Sequence, residues 1–341
     1  MRMSHAASAP ALVTVLGAGA WGSTLAWLLA NNGHRVRLWA RDEAHVRELA
    51  ATRANPRYVP GLRLPPTVLP TADLDEALSG EPVAFAAVPA RALRSVLRAA
   101  RRRPAAVVSC AKGVEPSSGE RGEPDFKRLS QVVEEEMPGV PVAALSGPNL
   151  ATEIAAGMPA ATTVASLASG LARCVQDLLQ QATFRVYTSP DLVGVELAGV
   201  MKNVIALAAG ICDGLGLGDN AKSTIITRGL AETVRFGTRL GGRERTFYGL
   251  AGLGDVVATC ASTLSRNHRA GVLLAGGERV DGPAISGLTA EGIGTVAAVH
   301  AFALAHDVDL PITAEVYRVA YERKDPREAI DTLMTRERKA E

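Results

Sequence analysis

The stretch ALVTVLGAGAWG, residues 11–22, decides the fold class of this chain. Its first half, 11–16, is a short apolar, β-branched run typical of a buried strand. The glycine motif GAGAWG (17–22) follows at once, and a helical pattern continues to Asn31. A Gly-x-Gly-x-x-Gly motif between a strand and a helix predicts a turn that binds a dinucleotide pyrophosphate. The alternative is a glycine-rich turn without a ligand, in a chain with 33 glycines.

Each glycine of the motif has a separate predicted task. Gly17 permits the tight turn, Gly19 lets the backbone approach the pyrophosphate, and Gly22 lets the helix pack closely on the strand.

Strand and helix patterns alternate up to about residue 190. Further strands are predicted at 35–40, 83–89, 105–111 and 140–147, with helices at 42–51 and 91–102. This alternation predicts an α/β fold, a Rossmann-type doubly wound parallel sheet with helices on both faces. The polar segment 113–125 is predicted to be a surface loop.

Beyond residue 190 the strand patterns stop and helical patterns take over, at 192–213, 222–240, 290–306 and 312–323. We therefore expect a flexible tail at 1–10, a dinucleotide-binding domain at 11–190 and a mostly helical substrate domain at 191–335.

Composition indicates an ordinary globular protein of 341 residues, with 47% hydrophobic and 21% charged residues. The formal net charge of +2 gives no reason to expect nucleic-acid or membrane-surface binding. The four cysteines lie far apart without metal-ligand spacing, so we expect reduced thiols and no metal site. The apolar stretch 192–212 carries Glu196 and Lys202, which are costly in lipid, so a buried helix of a cytoplasmic protein is expected.

The end of the second strand bears on the choice of dinucleotide. Arg41 lies nineteen residues beyond Gly22, where an acidic residue usually binds the ribose of NAD, and Asp42 follows it. A guanidinium can form two parallel hydrogen bonds to a 2′-phosphate, which favours NADP over NAD. The alternatives are a solvated arginine or one that stacks on adenine without choosing a cofactor.

Two lysines stand where chemistry is expected. Lys112 directly follows a predicted strand, at the sheet edge where α/β proteins bind ligands. Lys202 lies in the middle of an apolar helix, where a buried ammonium needs a carboxylate neighbour, and Asp255 is a candidate. Such a lysine can act as general acid toward a carbonyl oxygen or as general base toward an alcohol. The alternatives are a solvated Lys112, and a Lys202 whose ammonium reaches water.

The tripeptide Ser265-Arg266-Asn267 opens a helical pattern. Hydroxyl, guanidinium, amide and helix N-terminal N–H groups together suit a phosphate. Plain helix capping by Ser265 or Asn267 is the alternative. Cofactor motif, lysine and phosphate-binding residues together suggest hydride transfer to a phosphorylated carbonyl compound.

Several stretches together resemble the bacterial, soluble NAD(P)-dependent glycerol-3-phosphate dehydrogenase family. The resemblance covers residues 11–325 and is carried by GAGAWGSTLA (17–26), AVPARALR (87–94), AKG (111–113), LSGPNLATEIAAGMP (145–159), VELAGVMKNVIALAAGI (195–211), GDNAKSTIITRGLAE (218–232) and TFYGLAGLGDVVATCASTLSRNHRAG (246–271). It implies reversible reduction of dihydroxyacetone phosphate to sn-glycerol 3-phosphate with NADP or NAD, for phospholipid synthesis. It also implies a helical domain like the C-terminal domain of 6-phosphogluconate dehydrogenase, and a homodimer.

The resemblance also implies roles for individual residues. Lys202 is the general acid–base group, and Lys112 and Asp255 complete the catalytic set. Substrate-binding positions are Lys112, Gly147, Asn149, Lys202, Asn203, Asp255, Thr259, Ser265, Arg266 and Asn267. Cofactor-binding positions are Gly17, Gly19, Ala20, Trp21, Gly22, Arg41, Lys112, Ala151, Arg266, Thr289 and Glu291.

The chain departs from the family pattern in three places, none of which removes a catalytic group. Asn149-Leu150 stands where Ser or Thr and then Phe is usual, Thr289 replaces a valine, and the segment 115–125 is longer than usual.

Two rival functions share the same domain plan. One is an NADP-linked hydroxyacid or ketoacid reductase, which needs a carboxylate-binding site. The other is a dinucleotide-binding sensor, which has no need of the two lysines.

Overall fold

The computed structural model describes residues 11–337, so the tail expected at 1–10 lies outside the described residues. These residues form two compact units. The first, here called the sheet unit, comprises 11–111 and 129–192, and the second, the helical unit, comprises 112–128 and 193–337.

The strands, numbered in chain order, are β1 (Leu12–Leu16), β2 (Arg35–Trp39), β3 (Ala54–Asn55), β4 (Val59–Arg63), β5 (Val68–Thr71), β6 (Val83–Ala86), β7 (Ala106–Ser109), β8 (Val114–Ser118), β9 (Pro124–Arg128), β10 (Val142–Ser146), β11 (Ala160–Ser166) and β12 (Phe184–Ser189).

The helices are α1 (Ala20–Asn31), α2 (Glu43–Thr52), α3 (Leu74–Ala77), α4 (Ala90–Ala99), α5 (Leu129–Glu136), α6 (Ala151–Ala155), α7 (Leu171–Leu179), α8 (Leu192–Gly214), α9 (Gly218–Arg239), α10 (Glu244–Phe247), α11 (Asp255–Ala261), α12 (Arg266–Ala275), α13 (Pro283–Ser286), α14 (Glu291–Ala305), α15 (Pro311–Tyr321) and α16 (Pro326–Met334). A π-helical turn, Leu250–Gly254, precedes α11.

The sheet unit is built on one eight-stranded sheet with the order β12-β11-β10-β7-β6-β1-β2-β5. All neighbouring strands are parallel except β10 and β11, which are antiparallel. The predicted doubly wound α/β fold is confirmed, with β11 and β12 reversed at one end. Residues 147–159 connect β10 to β11, and only the five residues of α6 are helical.

The central strand β1 explains why the glycine motif lies where it does. Val13 and Val15 are completely buried in the core, and β1 pairs on one side with β2 and on the other with β6. Because β1 is central and parallel, its carboxyl end delivers the glycine motif to the ligand-binding edge of the sheet.

The segment 113–125 is not the simple surface loop that the sequence predicts, nor does it belong to the dinucleotide-binding domain. It folds into the antiparallel hairpin β8–β9 of the helical unit. Phe126 is its anchor, with ring centroids 5.8 Å from Phe236 and 5.0 Å from Phe302. Since most other side chains of the hairpin are polar and at least partly exposed, the composition conceals one aromatic anchor.

The helical unit has the long helix α8 at its core, and the chain enters it between Leu192 and Val193. By length and hydropathy α8 is long and apolar enough to cross a membrane, yet 83% of its most apolar window is buried inside the protein. Most of its apolar surface is therefore covered by the surrounding protein.

Candidate active site

Two glycines of the motif are explained by packing within the sheet unit. Gly17 has a φ of 112°, and a Cβ there would lie 2.8 Å from the carbonyl oxygen of Ala87. A Cβ on Gly22 would lie 1.8 Å from the carbonyl oxygen of Gly17. No larger residue fits at either position without moving backbone.

Gly19 is different, because no such packing restricts it. A Cβ there would meet nothing within 4 Å, and its φ of −76° suits any residue. Gly19 is the N-cap of α1, and no side chain caps the helix. The N–H groups of the first turn, which begins with Ala20 and Trp21, are therefore not bound by a side-chain cap, and a pyrophosphate suits the positive end of such a helix.

Arg41 and Asp42 follow β2 and differ in how they are used. The Asp42 carboxylate accepts a 2.9 Å hydrogen bond from the Ala44 N–H and caps α2. The Arg41 side chain is exposed. The acidic group of this turn thus serves the helix, and a guanidinium remains for a ligand.

The SGPN segment follows β10 at the same sheet edge. Gly147 has a φ of 151°, and a Cβ there would come within 3.0 Å of the Thr162 Cα. The Asn149 amide donates a 3.1 Å bond to the Thr162 hydroxyl, which donates to the Ser146 carbonyl. Ser146 Oγ and Asn149 Oδ1 are buried without a hydrogen-bond partner among the described residues.

Ala151, the next predicted cofactor position, begins α6 and is tied to the glycine-motif helix. Its carbonyl oxygen accepts a 3.2 Å hydrogen bond from the Thr24 hydroxyl of α1. The structure therefore links Ala151 to the helix that carries Ala20 and Trp21.

In the helical unit, one carboxylate joins the two lysines singled out in the sequence. Lys112 Nζ lies 2.5 Å from Asp255 Oδ2, and Lys202 Nζ lies 3.4 Å from Oδ1. Lys202 also donates a 3.1 Å bond to the Thr259 hydroxyl, which donates at 3.1 Å to Asp255 Oδ1. The carboxylate expected beside Lys202 is thus present, and it serves Lys112 as well.

The charge state of Asp255 follows from its neighbours. Burial by itself raises the pKa of this carboxyl, whose residue is 2% exposed. The ammonium groups of Lys112 and Lys202 outweigh burial and, with hydrogen bonds from Lys112 and Thr259, hold the pKa below its usual range. The site therefore contains a carboxylate between two ammonium groups.

Two asparagines extend this network through backbone groups. The Asn203 amide donates a 2.6 Å bond to the Lys112 carbonyl, and Asn267 donates a 2.7 Å bond to the Asn203 side-chain oxygen. The Gly292 N–H in turn donates to the Asn267 oxygen at 3.0 Å. The chain of bonds connects Lys112, α8, α12 and the first turn of α14.

The remaining predicted positions lie at the starts of α12 and α14. The Ser265 hydroxyl accepts a 3.2 Å hydrogen bond from the His268 N–H. Ser265 therefore caps α12, which is the alternative to phosphate binding given in the sequence analysis. Arg266 is exposed. Thr289 has a φ of 52°, which β-branched residues rarely adopt, and Glu291 begins α14.

Asp255 owes its position to the π-helical turn before it. A Cβ on Gly252 would lie 2.0 Å from the Phe247 carbonyl oxygen, so the wide turn requires glycine there. Turns of this kind are frequent at functional sites.

A second charged cluster, in which Asp213 contacts both Lys222 and His268, is not predicted from the sequence. One signal would have pointed to it: Lys222 is one of only six lysines in the chain.

Known protein families match both parts of the chain. Residues 12–172 match the family model described as NAD-dependent glycerol-3-phosphate dehydrogenase N-terminus, and residues 191–331 match the corresponding C-terminus model. The chain belongs to the NAD-dependent glycerol-3-phosphate dehydrogenase family. The resemblance noted from the sequence motifs is thereby confirmed.

Relatives of this family match over nearly the full length. Glycerol-3-phosphate dehydrogenase [NAD(P)+] of Geobacillus thermodenitrificans is 46% identical over 336 residues, covering 96% of each chain. The Moorella thermoacetica protein of the same name is 45% identical over 331 residues, again covering 96% of each chain.

Solved structures of the family have the same fold. The glycerol-3-phosphate dehydrogenase of Coxiella burnetii superimposes with a TM-score of 0.88 at 38% identity, over 96% of this chain and 99% of that one. The yeast enzyme from Saccharomyces cerevisiae gives 0.79 at 28% identity, over 95% and 99%. The family assignment therefore rests on both halves of the chain.

Proposed function

We propose that Lys202 is the general acid–base group through which this glycerol-3-phosphate dehydrogenase reversibly reduces dihydroxyacetone phosphate to sn-glycerol 3-phosphate. The observation that carries the proposal is the Asp255 carboxylate, buried between the ammonium groups of Lys202 and Lys112. A carboxylate in this position compensates both ammonium groups and orients them, and an oriented ammonium group is what proton donation to a carbonyl oxygen requires.

The proton balance follows from this arrangement. A nicotinamide cofactor, when bound, would supply the hydride for C2 of the ketone, whose oxygen would then gain negative charge. Lys202 donates a proton from Nζ to that oxygen, while the Lys112 ammonium stabilises the charge. In the reverse direction neutral Lys202 removes the alcohol proton. Thr259 orients Lys202 by accepting its hydrogen bond.

The phosphate of the substrate is assigned to the first turn of α12. Arg266 supplies an exposed guanidinium, and Ser265, Asn267 and the helix N-terminus supply further donors. Gly147, Asn149 and Asn203 complete the proposed substrate contacts. Binding energy from this non-reacting end positions the reacting carbon.

The sheet unit is assigned the cofactor, and NADP is the proposed preference. Gly19 and the open first turn of α1 suit the pyrophosphate, and Arg41 suits a 2′-phosphate because Asp42 already caps a helix. Further proposed cofactor contacts are Gly17, Ala20, Trp21, Gly22, Lys112, Ala151, Arg266, Thr289 and Glu291.

The cellular setting is proposed with the activity. A cytoplasmic homodimer that binds neither nucleic acid nor membrane would supply sn-glycerol 3-phosphate for glycerophospholipid synthesis.

The first experiment measures NADPH oxidation at 340 nm with dihydroxyacetone phosphate, with unphosphorylated dihydroxyacetone in parallel. We expect rapid oxidation only with the phosphorylated ketone. Lys202→Ala should lower kcat by about a thousandfold, the scale of a lost general acid, with little change in NADPH affinity. A folded wild-type protein that binds NADPH but reduces only ketoacids would overturn the substrate, and a Lys202→Ala variant with near-normal turnover would overturn the role of the lysine.

A further inference from the structure

A second charged cluster lies in the helical unit and has no part in the chemistry proposed above. One oxygen of Asp213, in the last turn of α8, lies 2.6 Å from Lys222 Nζ of α9 and 2.7 Å from His268 Nε2 of α12. His268 is only 6% exposed. Three helices are therefore joined at a single carboxylate oxygen.

His268 directly follows Arg266 and Asn267, the two residues assigned to the substrate phosphate. The backbone of His268, like its side chain, contacts neighbouring groups. The N–H donates to Ser265 Oγ, and the carbonyl lies against Gly210 of α8, where a Cβ would come within 2.0 Å of the oxygen. Any shift of His268 would move the phosphate-binding turn with it.

The bonds at Asp213 are charge-assisted. Burial by itself raises the pKa of this carboxyl, but hydrogen bonds from Lys222 and His268 and their charges hold the pKa below its usual range. The Lys222 ammonium is in turn stabilised by Asp213, which raises the pKa of Lys222. Such bonds are shorter and stronger than neutral ones, so the cluster suits a fixed anchor.

We propose that Asp213, Lys222 and His268 are positioning residues that hold Arg266 and Asn267 in register for the phosphate group of the substrate. The inference rests on the proposed function, since it deepens the role given to the first turn of α12. None of the three touches the reacting carbon. Because the phosphate is bound before and during the reaction, loosening this turn weakens binding more than turnover.

The test uses full-length protein and four variants. His268→Leu removes the bond to Asp213, while His268→Gln retains an N–H donor at a similar distance from the backbone. Lys222→Met removes the second bond. Lys324→Met is the matched control. The Lys324 side chain is 21% exposed, against 23% for Lys222, and it also forms an ion pair, at 2.7 Å with Glu315 of α15.

Four quantities are measured for each variant: kcat, the KM for dihydroxyacetone phosphate, the KM for NADPH, and the inhibition constant of inorganic phosphate. For His268→Leu and Lys222→Met we expect the KM for dihydroxyacetone phosphate and the phosphate inhibition constant to rise about tenfold, as for a lost charged hydrogen bond, with kcat within about threefold. The KM for NADPH should not move. His268→Gln should recover most of the loss, and Lys324→Met should behave as wild type.

The outcomes separate this inference from the function on which it rests. If wild-type protein does not reduce dihydroxyacetone phosphate, the proposed function fails. If the wild type is active, the positioning role is refuted by variants that lower kcat without raising the KM, by unchanged kinetics, or by equal effects in Lys324→Met. If His268→Leu does not fold, Lys222→Met and His268→Gln still decide between these results.

Discussion

At the scale of single residues, the active-site chemistry depends on how each charge is compensated. Asp255 compensates two lysines at once, so neither ammonium group is buried alone. The Asp42 carboxylate caps α2, and the neighbouring Arg41 side chain is exposed. An aspartate therefore compensates two lysines at one place and caps a helix at another.

Arg41 provides a direct test of cofactor choice. We expect Arg41→Ser to raise the KM for NADPH about tenfold, since a charged hydrogen bond to a phosphate is lost, and to leave the KM for NADH nearly unchanged. Steady-state kinetics with each cofactor measure both values. Arg35→Ser, at the opposite end of β2 and also exposed, is the control. Equal changes for the two cofactors would contradict the NADP preference.

Much of the residue chemistry was readable from the sequence, and the rest was not for identifiable reasons. Lys202 stands out as a charge within an apolar helix, and Asp255 as its carboxylate. That Asp255 also binds Lys112 depends on a contact between residues 143 positions apart, which no local pattern encodes. The cluster at Asp213 went unnoticed for the same reason, because its three members belong to three different helices.

At the scale of elements, α8 and α12 are packed backbone to backbone. A Cβ on Gly271 of α12 would lie 2.2 Å from the Leu207 carbonyl oxygen of α8, and one on Gly210 would lie 3.0 Å from the Gly271 Cα. The helix that carries Lys202 and the helix that begins with Arg266 are thereby fixed in register. Glycines at this crossing hold Lys202 and the first turn of α12 at a set separation.

The close crossing predicts opposite effects for two glycine substitutions. Gly271→Ala should lower the free energy of unfolding by about 3 kcal/mol, because overpacking forces the helix backbones apart. Gly294→Ala in α14 is the matched control: a Cβ there meets nothing within 4 Å, and alanine should stabilise the helix by up to about 1 kcal/mol. Urea unfolding followed by circular dichroism measures both. A neutral Gly271→Ala would show that the helices are free to move apart.

Some elements were predictable and others were not. The alternation of β1, α1 and β2 follows from apolar runs and glycine spacing. The strands β11 and β12 are missed because neither contains the uninterrupted apolar run that marks β6 and β7. Val164 is the only large apolar residue of β11, and in β12 exposed residues stand between the buried ones. The sequence predicts a loop at the hairpin β8–β9 because one phenylalanine anchors a mostly polar segment.

At the scale of the whole molecule, one buried acid links two helices of the helical unit and makes stability depend on pH. Glu232 of α9 accepts a 2.5 Å bond from the Ile312 N–H and 3.2 and 3.0 Å bonds from the N–H and hydroxyl of Thr313, at the start of α15. Burial nevertheless raises the pKa of Glu232 from 4.5 to about 7.

The sign of the pH effect follows from this raised pKa. The folded protein holds the Glu232 proton more tightly than the unfolded chain, so its contribution is fully present below about pH 4.5 and is lost as the pH rises to about 7. We expect the free energy of unfolding of wild type minus that of Glu232→Gln to fall by about 3 kcal/mol over this window. Chemical unfolding at several pH values measures the difference. A difference that stays constant or rises with pH would contradict the prediction.

The hairpin that joins the helical unit has a consequence for how the chain is made and divided. Residues 112–128 leave the ribosome well before α8 to α16. Phe126 therefore stays uncovered until Phe236 and Phe302, against which it packs, have been synthesised. A gene fragment that began at Val193 would encode the long helices but lack Lys112. Recombination that exchanged either unit between relatives would accordingly need three breakpoints, at 111/112, 128/129 and 192/193, instead of one, because each unit is encoded by two separated stretches of the gene.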